Sequence, residues 1–238
     1  MKAEGKNILV VGGSSGIGLS LIKLLEEEGS NIYAISRSPA DDWPAGVRYL
    51  KGDVTEIIEG VETFLPEKLH GLVYAVGSIT LKPFGRLNDA DFISDFNLNV
   101  LGSARIIKQA MRSLKNASGS SIVLISSVAA KTGMPYHASI AAAKGAVEGM
   151  AVTLAAELAF QNIRVNVVAP SLTDTPLAAN LLSTAEKREA SAKRHPLGKI
   201  GEPEDISKLI SFLLSDNSKW ITGQIIGIDG GLGALKTG

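Results

Sequence analysis

Short apolar segments alternate with longer helical segments along this chain, and this alternation restricts the fold more than any other feature. Seven of the short segments are typical of strands, and several are nearly continuous in Val, Ile and Leu, as in NILVVGG, SIVLISS and IRVNVVAPS. Strands of that kind are buried on both faces, as in a parallel sheet that helices cover. The pattern predicts a doubly wound α/β fold of the Rossmann type, with a seven-stranded parallel sheet.

Composition excludes several classes of function. Lys and Arg together number 24, as do Asp and Glu, so the formal net charge at pH 7 is zero. This balance gives no electrostatic reason to expect nucleic acid or an anionic membrane as a partner. The sequence contains no cysteine, which excludes disulfides, thiolate metal sites and a cysteine nucleophile. No cluster of His, Asp and Glu indicates a metal site either.

The chain is expected to form one domain over residues 1–238, because it has no internal repeat, low-complexity tract or linker. Its length suits one larger α/β domain. No uncharged run approaches the roughly 18 apolar residues that a membrane-spanning helix needs, and no basic and apolar leader precedes the first strand. We therefore expect a cytoplasmic protein.

A glycine-rich turn joins the first predicted strand to the first predicted helix in NILVVGGSSGIGLSLIKLL. Glycine permits backbone shapes and close approaches that a Cβ would prevent, and a helix N-terminus offers free N–H groups to a pyrophosphate. The turn therefore predicts a dinucleotide site, the alternative being a turn that only reverses the chain. The residues expected to contact the cofactor here are Gly12, Ser14, Ser15, Gly16, Ile17 and Gly18.

The end of the second predicted strand indicates which dinucleotide binds. NAD sites of this type usually have an acidic residue there, which holds the ribose hydroxyls. Here the strand ends in AISRSP, so Ser36, Arg37 and Ser38 stand in that region without a carboxylate. An arginine with hydroxyls suits a 2′-phosphate, which favours NADP(H) over NAD(H). The alternative is that Arg37 is a solvated surface residue.

Almost from end to end, the chain resembles a short-chain dehydrogenase/reductase of the classical type. The motifs that carry the resemblance are the G-x-x-x-G-x-G spacing from Gly12, GDV at 52–54, YAVG at 74–77, NLNVLG, NVVAPSLTDT, PLGKIGEPEDI and WITGQIIGIDGG. Each motif alone is weak, and their order and spacing together are specific. Three of these motifs depart from the family pattern: Val11 replaces a common threonine, YAVG securely keeps only the final glycine of the family's N-N-A-G, and Ser171 replaces the usual glycine of the nicotinamide loop.

The resemblance implies cofactor contacts, an activity and an assembly. Asp53 is expected to hydrogen-bond on the adenine side. The activity implied is hydride transfer between NADP(H) and a carbonyl or hydroxyl group of a small molecule. The assembly implied is a homodimer or homotetramer, with a substrate lid at about 172–198. Further cofactor contacts are carried over to Val54, Ala75, Gly77, Lys144, Pro170, Thr173 and Thr175.

The resemblance also implies an active centre, and one of its members is missing. In this family a serine binds the substrate carbonyl, a tyrosine thirteen residues later transfers the proton, and a lysine four residues further on holds the nicotinamide ribose. Such acid assistance is typically worth about 10²–10⁴ in rate. Ser127 and Lys144 fit this spacing, but the residue between them is Ile140. Asn99, rather than its neighbour Asn97, matches the family's structural and relay asparagine.

A displaced proton donor is the first hypothesis for what replaces the phenol. Tyr136 lies four residues before Ile140 and would share its helix face if the helix extended back that far, so it is the preferred candidate. His137 is another candidate, because imidazole titrates near neutrality. A water held by Lys144 is an alternative to both.

Ile140 also keeps two other functions open. One is a non-catalytic NADP(H)-binding sensor or partner subunit. The other is a reductase of C=C bonds, because the divergent enoyl reductases of the family place their tyrosine further ahead of the lysine. Two structural alternatives stay open as well. Lys144 would be a snorkelling surface lysine if its helix were exposed. Independently, the Ser127 hydroxyl would only satisfy the backbone at the end of its strand. His70 and His195 are interpreted as ordinary exposed residues.

Overall fold

The sheet at the centre of the molecule has seven parallel strands in the order β3-β2-β1-β4-β5-β6-β7, which confirms the predicted doubly wound α/β fold. The computed structural model describes residues 5–236. Each of the seven apolar segments contains one strand. They are β1 (Asn7–Val11), β2 (Asn31–Ser36), β3 (Arg48–Lys51), β4 (Gly71–Tyr74), β5 (Ser120–Ile125), β6 (Ile163–Pro170) and β7 (Ile225–Ile228).

Helices cover both faces of the sheet. In chain order they are α1 (Gly16–Glu27), α2 (Val61–Phe64), α3 (Asp89–Phe96), α4 (Gly102–Asn116), α5 (Ala138–Leu158), α6 (Ala185–Lys193) and α7 (Pro203–Leu214). Helices α4 and α5 pack on one face, and α1 and α7 pack on the other. None of the helices in this part of the chain combines the length and apolar character needed to cross a bilayer.

Strand β1 explains why the apolar segments are nearly continuous. Successive side chains of a strand point to opposite faces of the sheet. Leu9 and Val11 enter the core beneath α4 and α5, while Ile8 and Val10 enter the core beneath α1 and α7. All four are fully buried, so neither face of β1 has room for a polar residue.

Helices α3 and α4 form one helical run over residues 89–116 that contains a π-helical turn. Helix α3 starts at a capping box, in which Asp91 N donates to Asn88 Oδ1 (3.0 Å) and Asn88 N donates to Asp91 Oδ2 (3.1 Å). The turn Asn97–Leu101 then joins α3 to α4 and contains Asn99. Turns of this kind are frequent at functional sites.

The segment predicted as a lid, residues 172–198, folds into a 3₁₀ helix at Pro176–Leu182 followed by α6. A bridge between Thr173 and Gly201 ties the start of the segment to the residues just beyond its end. Arg188 of α6 forms two bonds of 2.6 and 3.1 Å with the Asp174 carboxylate. The segment therefore forms a closed loop that lies over the carboxyl ends of the strands.

Replacing Gly18 with alanine tests how tightly α1 packs on the glycine turn. A Cβ at position 18 would lie 2.2 Å from the Gly12 carbonyl oxygen, a main-chain atom that moves only if the turn opens. We expect Gly18→Ala to lower the free energy of unfolding by about 2–3 kcal/mol, measured by urea denaturation.

Gly46→Ala is the matched control, because a Cβ there meets no described atom within 4 Å. Its effect should stay within about 0.5 kcal/mol. Equal stability of the two variants would contradict the predicted clash.

Candidate functional site

A continuous cleft runs along the carboxyl ends of the strands, where ligands bind in sheets of this kind. It consists of a turn cavity of about 360 Å³ over the glycine turn and an inner cavity of about 290 Å³ over the ends of β5 and β6. A long ligand can lie across both, because the two cavities share walls. The shared lining residues are Ile17, Ala75, Val76, Gly77, Thr175 and Leu177.

The glycine turn forms one wall of the turn cavity. Gly12 has a φ of +85°, which favours glycine, and a Cβ on it would lie 2.8 Å from Val76 Cγ2. Ser15 precedes α1 in an extended conformation, and among the described residues its hydroxyl does not cap the helix. The N–H groups in the first turn of α1 are therefore not capped by this side chain. Such a helix start, with its positive dipole end, suits an anion.

A polar wall faces the glycine turn across the same cavity. It includes Ser36, Arg37 and Asp53. Thr55 donates to Asp53 Oδ1 from its backbone N (3.0 Å) and its Oγ1 (2.8 Å). These bonds, with a smaller contribution from the Arg37 charge, hold the pKa of Asp53 below its usual value. The wall therefore presents a cation and a carboxylate side by side.

Most residues predicted to contact a dinucleotide line the cleft. Two do not: Gly18 packs against the Gly12 carbonyl, and Ser38 is exposed, where its carbonyl accepts a bond of 2.6 Å from Ser36 Oγ. The predicted residues in the turn cavity are Gly12, Ser14, Ser15, Gly16, Ile17, Ser36, Arg37, Asp53, Val54, Ala75, Gly77 and Thr175. The inner cavity adds Lys144, Pro170 and Thr173.

Lys144 is buried in α5 and points into the inner cavity. Only 6% of the residue is exposed, and its Nζ donates to the Ile125 carbonyl oxygen at the end of β5 (2.8 Å). Burial lowers the pKa of Lys144 to about 8, and the nearby charge of Asp95 acts in the opposite direction. The side chain is thus held inside the cleft, and the snorkelling alternative does not describe it.

Asn99 lies beside Lys144 with an amide oxygen that lacks a partner. Its Nδ2 donates to the Asp95 carbonyl (2.8 Å) and to Ser78 Oγ (3.3 Å), but its buried Oδ1 has no hydrogen bond within residues 5–236. A Cβ on Gly77 would lie 3.6 Å from that oxygen and 3.4 Å from Lys144 Nζ. A buried acceptor of this kind needs a donor from a ligand or water.

Asp95 is a functional candidate that sequence reasoning missed. This carboxylate is buried, and it accepts bonds from Ser78 Oγ (2.7 Å) and Thr80 Oγ1 (2.9 Å) at Oδ1 and from Ser139 Oγ (2.6 Å) at Oδ2. The three hydroxyls come from the loop after β4 and from the first turn of α5. Its charge favours the protonated form of Lys144. No sequence motif marks it, because its partners lie 15 to 44 residues away.

Ser127 lines the inner cavity together with Lys144. Its Oγ accepts a bond from Ala129 N (3.2 Å) and so caps the short 3₁₀ helix Val128–Ala130. Because this bond uses a lone pair, the hydroxyl proton is available for another acceptor. The neighbouring Ser126 turns the other way and donates to Glu148 Oε1 (2.9 Å).

The two preferred donor candidates take different positions. Tyr136 is 59% exposed and is not part of the inner cavity wall. Its φ of +70° is left-handed, and α5 begins only at Ala138, so the helix does not extend back to Tyr136. His137 does line the cavity, and its Nδ1 lies 2.7 Å from the Pro135 carbonyl oxygen. Ile140 lines the cavity as well.

The expectation that His195 is exposed is wrong. Only 4% of it is accessible, and it lines the inner cavity. Its Nε2 lies 2.8 Å from Ser171 Oγ, and its Nδ1 lies 2.9 Å from the Ser191 carbonyl oxygen. Sequence reasoning missed this pair because the residues lie 24 positions apart. The serine in place of the family's usual glycine was the one signal that could have found it.

The expectation for His70 is also wrong. His70 is half-buried at the amino end of β4, and its Nδ1 accepts a bond of 3.0 Å from Asn7 N. Burial lowers its pKa, and the charges of Lys6 and Lys68 act in the same direction. It lies outside both cavities.

Comparison with known proteins agrees with this geometry. A family model described as enoyl-(acyl carrier protein) reductase matches residues 11–233. The chain is 36% identical to the 3-oxoacyl-[acyl-carrier-protein] reductase FabG of Thermotoga maritima, over 98% of this chain and 99% of that protein.

Two solved structures are similar over almost the whole chain. A short-chain type dehydrogenase/reductase from Mycobacterium ulcerans superposes with a TM-score of 0.91, at 30% identity, over 99% of this chain and 92% of the other. ElxO with NADP bound superposes with a TM-score of 0.88, at 27% identity, over 99% of this chain and all of the other.

Replacing Lys144 with methionine tests whether its ammonium is held at a cost to stability. We expect Lys144→Met to raise the free energy of unfolding by about 1–3 kcal/mol near pH 7, because a buried charge is removed. The folded pKa of about 8 is below the ordinary value of 10.5, so the unfolded chain binds more protons between these values. Wild-type stability therefore rises with pH across that window, and the difference should shrink as the pH is raised.

The measurement is urea denaturation at two pH values. About pH 7 lies below the window that the lowered pKa defines, and about pH 9.5 lies within it. Lys208→Met, an exposed position on α7, is the control and should change stability equally at both values. A Lys144→Met difference that stays constant with pH would contradict the buried ammonium.

Proposed function

This chain belongs to the short-chain dehydrogenase/reductase family, and we propose that it is an NADP-dependent oxidoreductase of that family. It transfers a hydride between the nicotinamide and a carbonyl or hydroxyl group of an apolar small molecule. The observation that carries the proposal is the buried ammonium of Lys144, held 2.8 Å from the Ile125 carbonyl inside a cleft that is continuous with the glycine turn. Burial of an ammonium is costly, and a buried group with a shifted pKa inside a cleft is a candidate for ligand binding.

A nicotinamide dinucleotide fits the residues present. The pyrophosphate would bind at the glycine turn, where a Cβ on Gly12 would fill the space next to Val76. The sugar beside the nicotinamide would bind Lys144, and the unpartnered Oδ1 of Asn99 would receive a donor from an ordered water. When bound, the dinucleotide supplies or accepts the hydride. The protein then has to bind and orient the cofactor and the substrate, and to transfer one proton.

The preference for NADP(H) rests on Ser36 and Arg37. Both line the turn cavity at the end of β2, where an NAD site usually has a carboxylate. A guanidinium recognises a phosphate through paired donors. The structure of ElxO with NADP bound, which this chain resembles over 99% of its length, supports the same choice.

We assign substrate polarisation to Ser127 and ordering of the active site to Lys144 and Asn99. The Ser127 hydroxyl proton is available to a substrate oxygen, because its oxygen alone is used in the bond from Ala129. Ile140 takes the place of the family's tyrosine in this proposal, so the proton must come from elsewhere. Tyr136 would have to turn into the cleft to supply it, since its side chain is exposed.

The substrate is expected to be apolar, because hydrocarbon side chains form most of the inner cavity wall. Residues 172–198 would act as its lid, since Leu177 and Leu181 of the 3₁₀ helix cover the cavity. The apolar lining residues include Ile79, Leu81, Val128, Met134, Ile140, Leu172, Leu177, Ala178, Leu181 and Leu232.

Specific observations also favour two other functions. Ile140, a hydrocarbon one turn before Lys144, favours a non-catalytic NADP(H)-binding sensor or partner subunit. His137 lines the inner cavity seven residues before Lys144, and the matching family model is described as enoyl-(acyl carrier protein) reductase. These two observations favour a reductase of C=C bonds with a displaced donor.

The expected partner is a second copy of the chain, in a homodimer or homotetramer, in the cytoplasm. Large apolar side chains are exposed on α3, the π turn, α5 and the turn that follows it, where another subunit would cover them. Balanced charge supports no nucleic-acid or membrane partner. The exposed side chains are Ile93, Phe96, Leu101, Val152 and Phe160.

Reversing the charge of Arg37 tests the cofactor choice. We expect Arg37→Glu to raise the Kd for NADPH by about tenfold or more, because a charge-assisted pair is replaced by repulsion, and to improve NADH binding. Fluorescence titration of the reduced nicotinamide measures both. Arg48→Glu on β3, outside both cavities, is the control and should change neither Kd more than twofold. Unchanged NADPH affinity in Arg37→Glu would contradict the assignment.

Restoring a phenol at position 140 tests the mechanism. Ketones, quinones and enoyl thioesters are screened for oxidation of NADPH by the wild type, Ile140→Tyr and Tyr136→Phe. We expect the wild type to turn over, Ile140→Tyr to raise kcat about tenfold or more because the phenol lies one turn before Lys144, and Tyr136→Phe to change kcat less than threefold. If only Ile140→Tyr were active, the wild type would be a non-catalytic NADP(H)-binding protein and the proposed enzyme function would be wrong.

A further inference from the structure

We propose that the Ser171 hydroxyl passes the proton to the reduced substrate and that His195 is the source of that proton. The proposal rests on the oxidoreductase function above and supplies the acid that Ile140 does not. It assigns a role to a pair of side chains that lie in the wall of the inner cavity, which Lys144 also lines.

The hydrogen bonds of His195 fix the direction in which it can move a proton. A carbonyl oxygen only accepts, so the Nδ1 of His195, 2.9 Å from the Ser191 carbonyl, carries a hydrogen. The Nε2 faces Ser171 Oγ at 2.8 Å. This nitrogen accepts from the hydroxyl when the ring is neutral and donates to it when the ring is protonated. The Nε2 of His195 therefore exchanges its proton with the Ser171 hydroxyl.

The imidazole is held in place from several sides. His195 N donates to the Ala192 carbonyl (3.0 Å), and the His195 carbonyl accepts from Gly198 N (2.8 Å). The main chain of Gly230 lies so close that a Cβ there would be 3.5 Å from the ring atom Cδ2. Ser171 is fixed as the first residue after β6. A group held this firmly is preorganised for proton transfer.

Both members of the pair line the cavity that also contains Ser127 and Lys144. A substrate oxygen in that cavity can contact the Ser171 hydroxyl, whereas the Tyr136 phenol is exposed. His137 is the one other imidazole in the wall, and its Nδ1 is engaged by the Pro135 carbonyl. In contrast to the Ser171–His195 pair, it has no described hydroxyl between its second nitrogen and the cavity.

The proton step balances. The carbonyl carbon gains a hydride from the reduced nicotinamide, and the electron pair of the C=O π bond moves to the oxygen. That oxygen takes the proton of Ser171 Oγ as Ser171 takes the Nε2 proton of the imidazolium of His195. The products are the alcohol, the oxidised nicotinamide and a neutral imidazole, which regains its proton from water.

The test uses the full-length protein with NADPH and three probes: acetophenone, menadione and crotonyl-coenzyme A. For each probe that the wild type reduces, we expect Ser171→Ala and His195→Ala to lower kcat at least about 100-fold, with the Kd for NADPH unchanged within twofold. His195→Gln, which fills more of the space, provides the same comparison if the alanine variant is insoluble. His70→Gln and Ser94→Ala, both outside the two cavities, are the matched controls and should keep wild-type kcat.

Chemical rescue separates proton transfer from packing. Added imidazole should raise the kcat of His195→Ala at least about tenfold. Thiazole, a ring of the same shape that is not protonated near neutral pH, should restore none. Rescue by both rings would overturn the proposal, because a cavity filler would then be sufficient.

The outcomes also separate this inference from the function on which it rests. A wild type that binds NADPH but reduces none of the probes overturns both. A wild type that reduces a probe, with Ser171→Ala within threefold of it, overturns the inference and leaves the oxidoreductase. A 100-fold loss in His137→Gln alone would transfer the donor role to that residue.

Discussion

The bond from Lys144 Nζ to the Ile125 carbonyl is the interaction on which the rest of the cleft depends. An ammonium inside a protein costs free energy unless partners compensate for the lost water. Here the compensation comes from a main-chain carbonyl at the end of β5 and from the charge of Asp95, and the pKa still falls to about 8. The bond fixes α5 against the carboxyl edge of the sheet, where the two cavities meet.

Asp95 extends this arrangement to three other parts of the chain. Its carboxylate accepts hydroxyls from Ser78 and Thr80 in the loop after β4 and from Ser139 at the start of α5. Its main-chain carbonyl accepts from Asn99 in the π turn. Because both oxygens of the Asp95 carboxylate are paired, its hydrogen bonds rigidify the segments that it joins. The positions of the loop, the helix and the turn are thereby coupled to the ammonium that they surround.

The inner cavity combines an apolar wall with proton-bearing groups at Ser127, Lys144, Ser171 and His195. Ile140 contributes only hydrocarbon at the position one turn before Lys144. Ser171 and His195 face the same space from β6 and from the end of α6. Low polarity strengthens hydrogen bonds formed there. In the proposed function, Lys144 and the glycine turn hold the cofactor, and Ser171 and His195 handle the proton.

The sequence alone determined the seven strands, their parallel sheet and the glycine turn, because these depend on local apolar runs and on backbone freedom at Gly12. The resemblance to a known family, carried by ordered sequence motifs, implied that Ser127 and Lys144 share one site, and both line the inner cavity. Tertiary structure decided the rest. It turned Tyr136 outward through a left-handed φ, buried His195 against Gly230 and paired it with Ser171. Those outcomes depend on contacts between segments far apart in the chain, and no local pattern encodes such contacts.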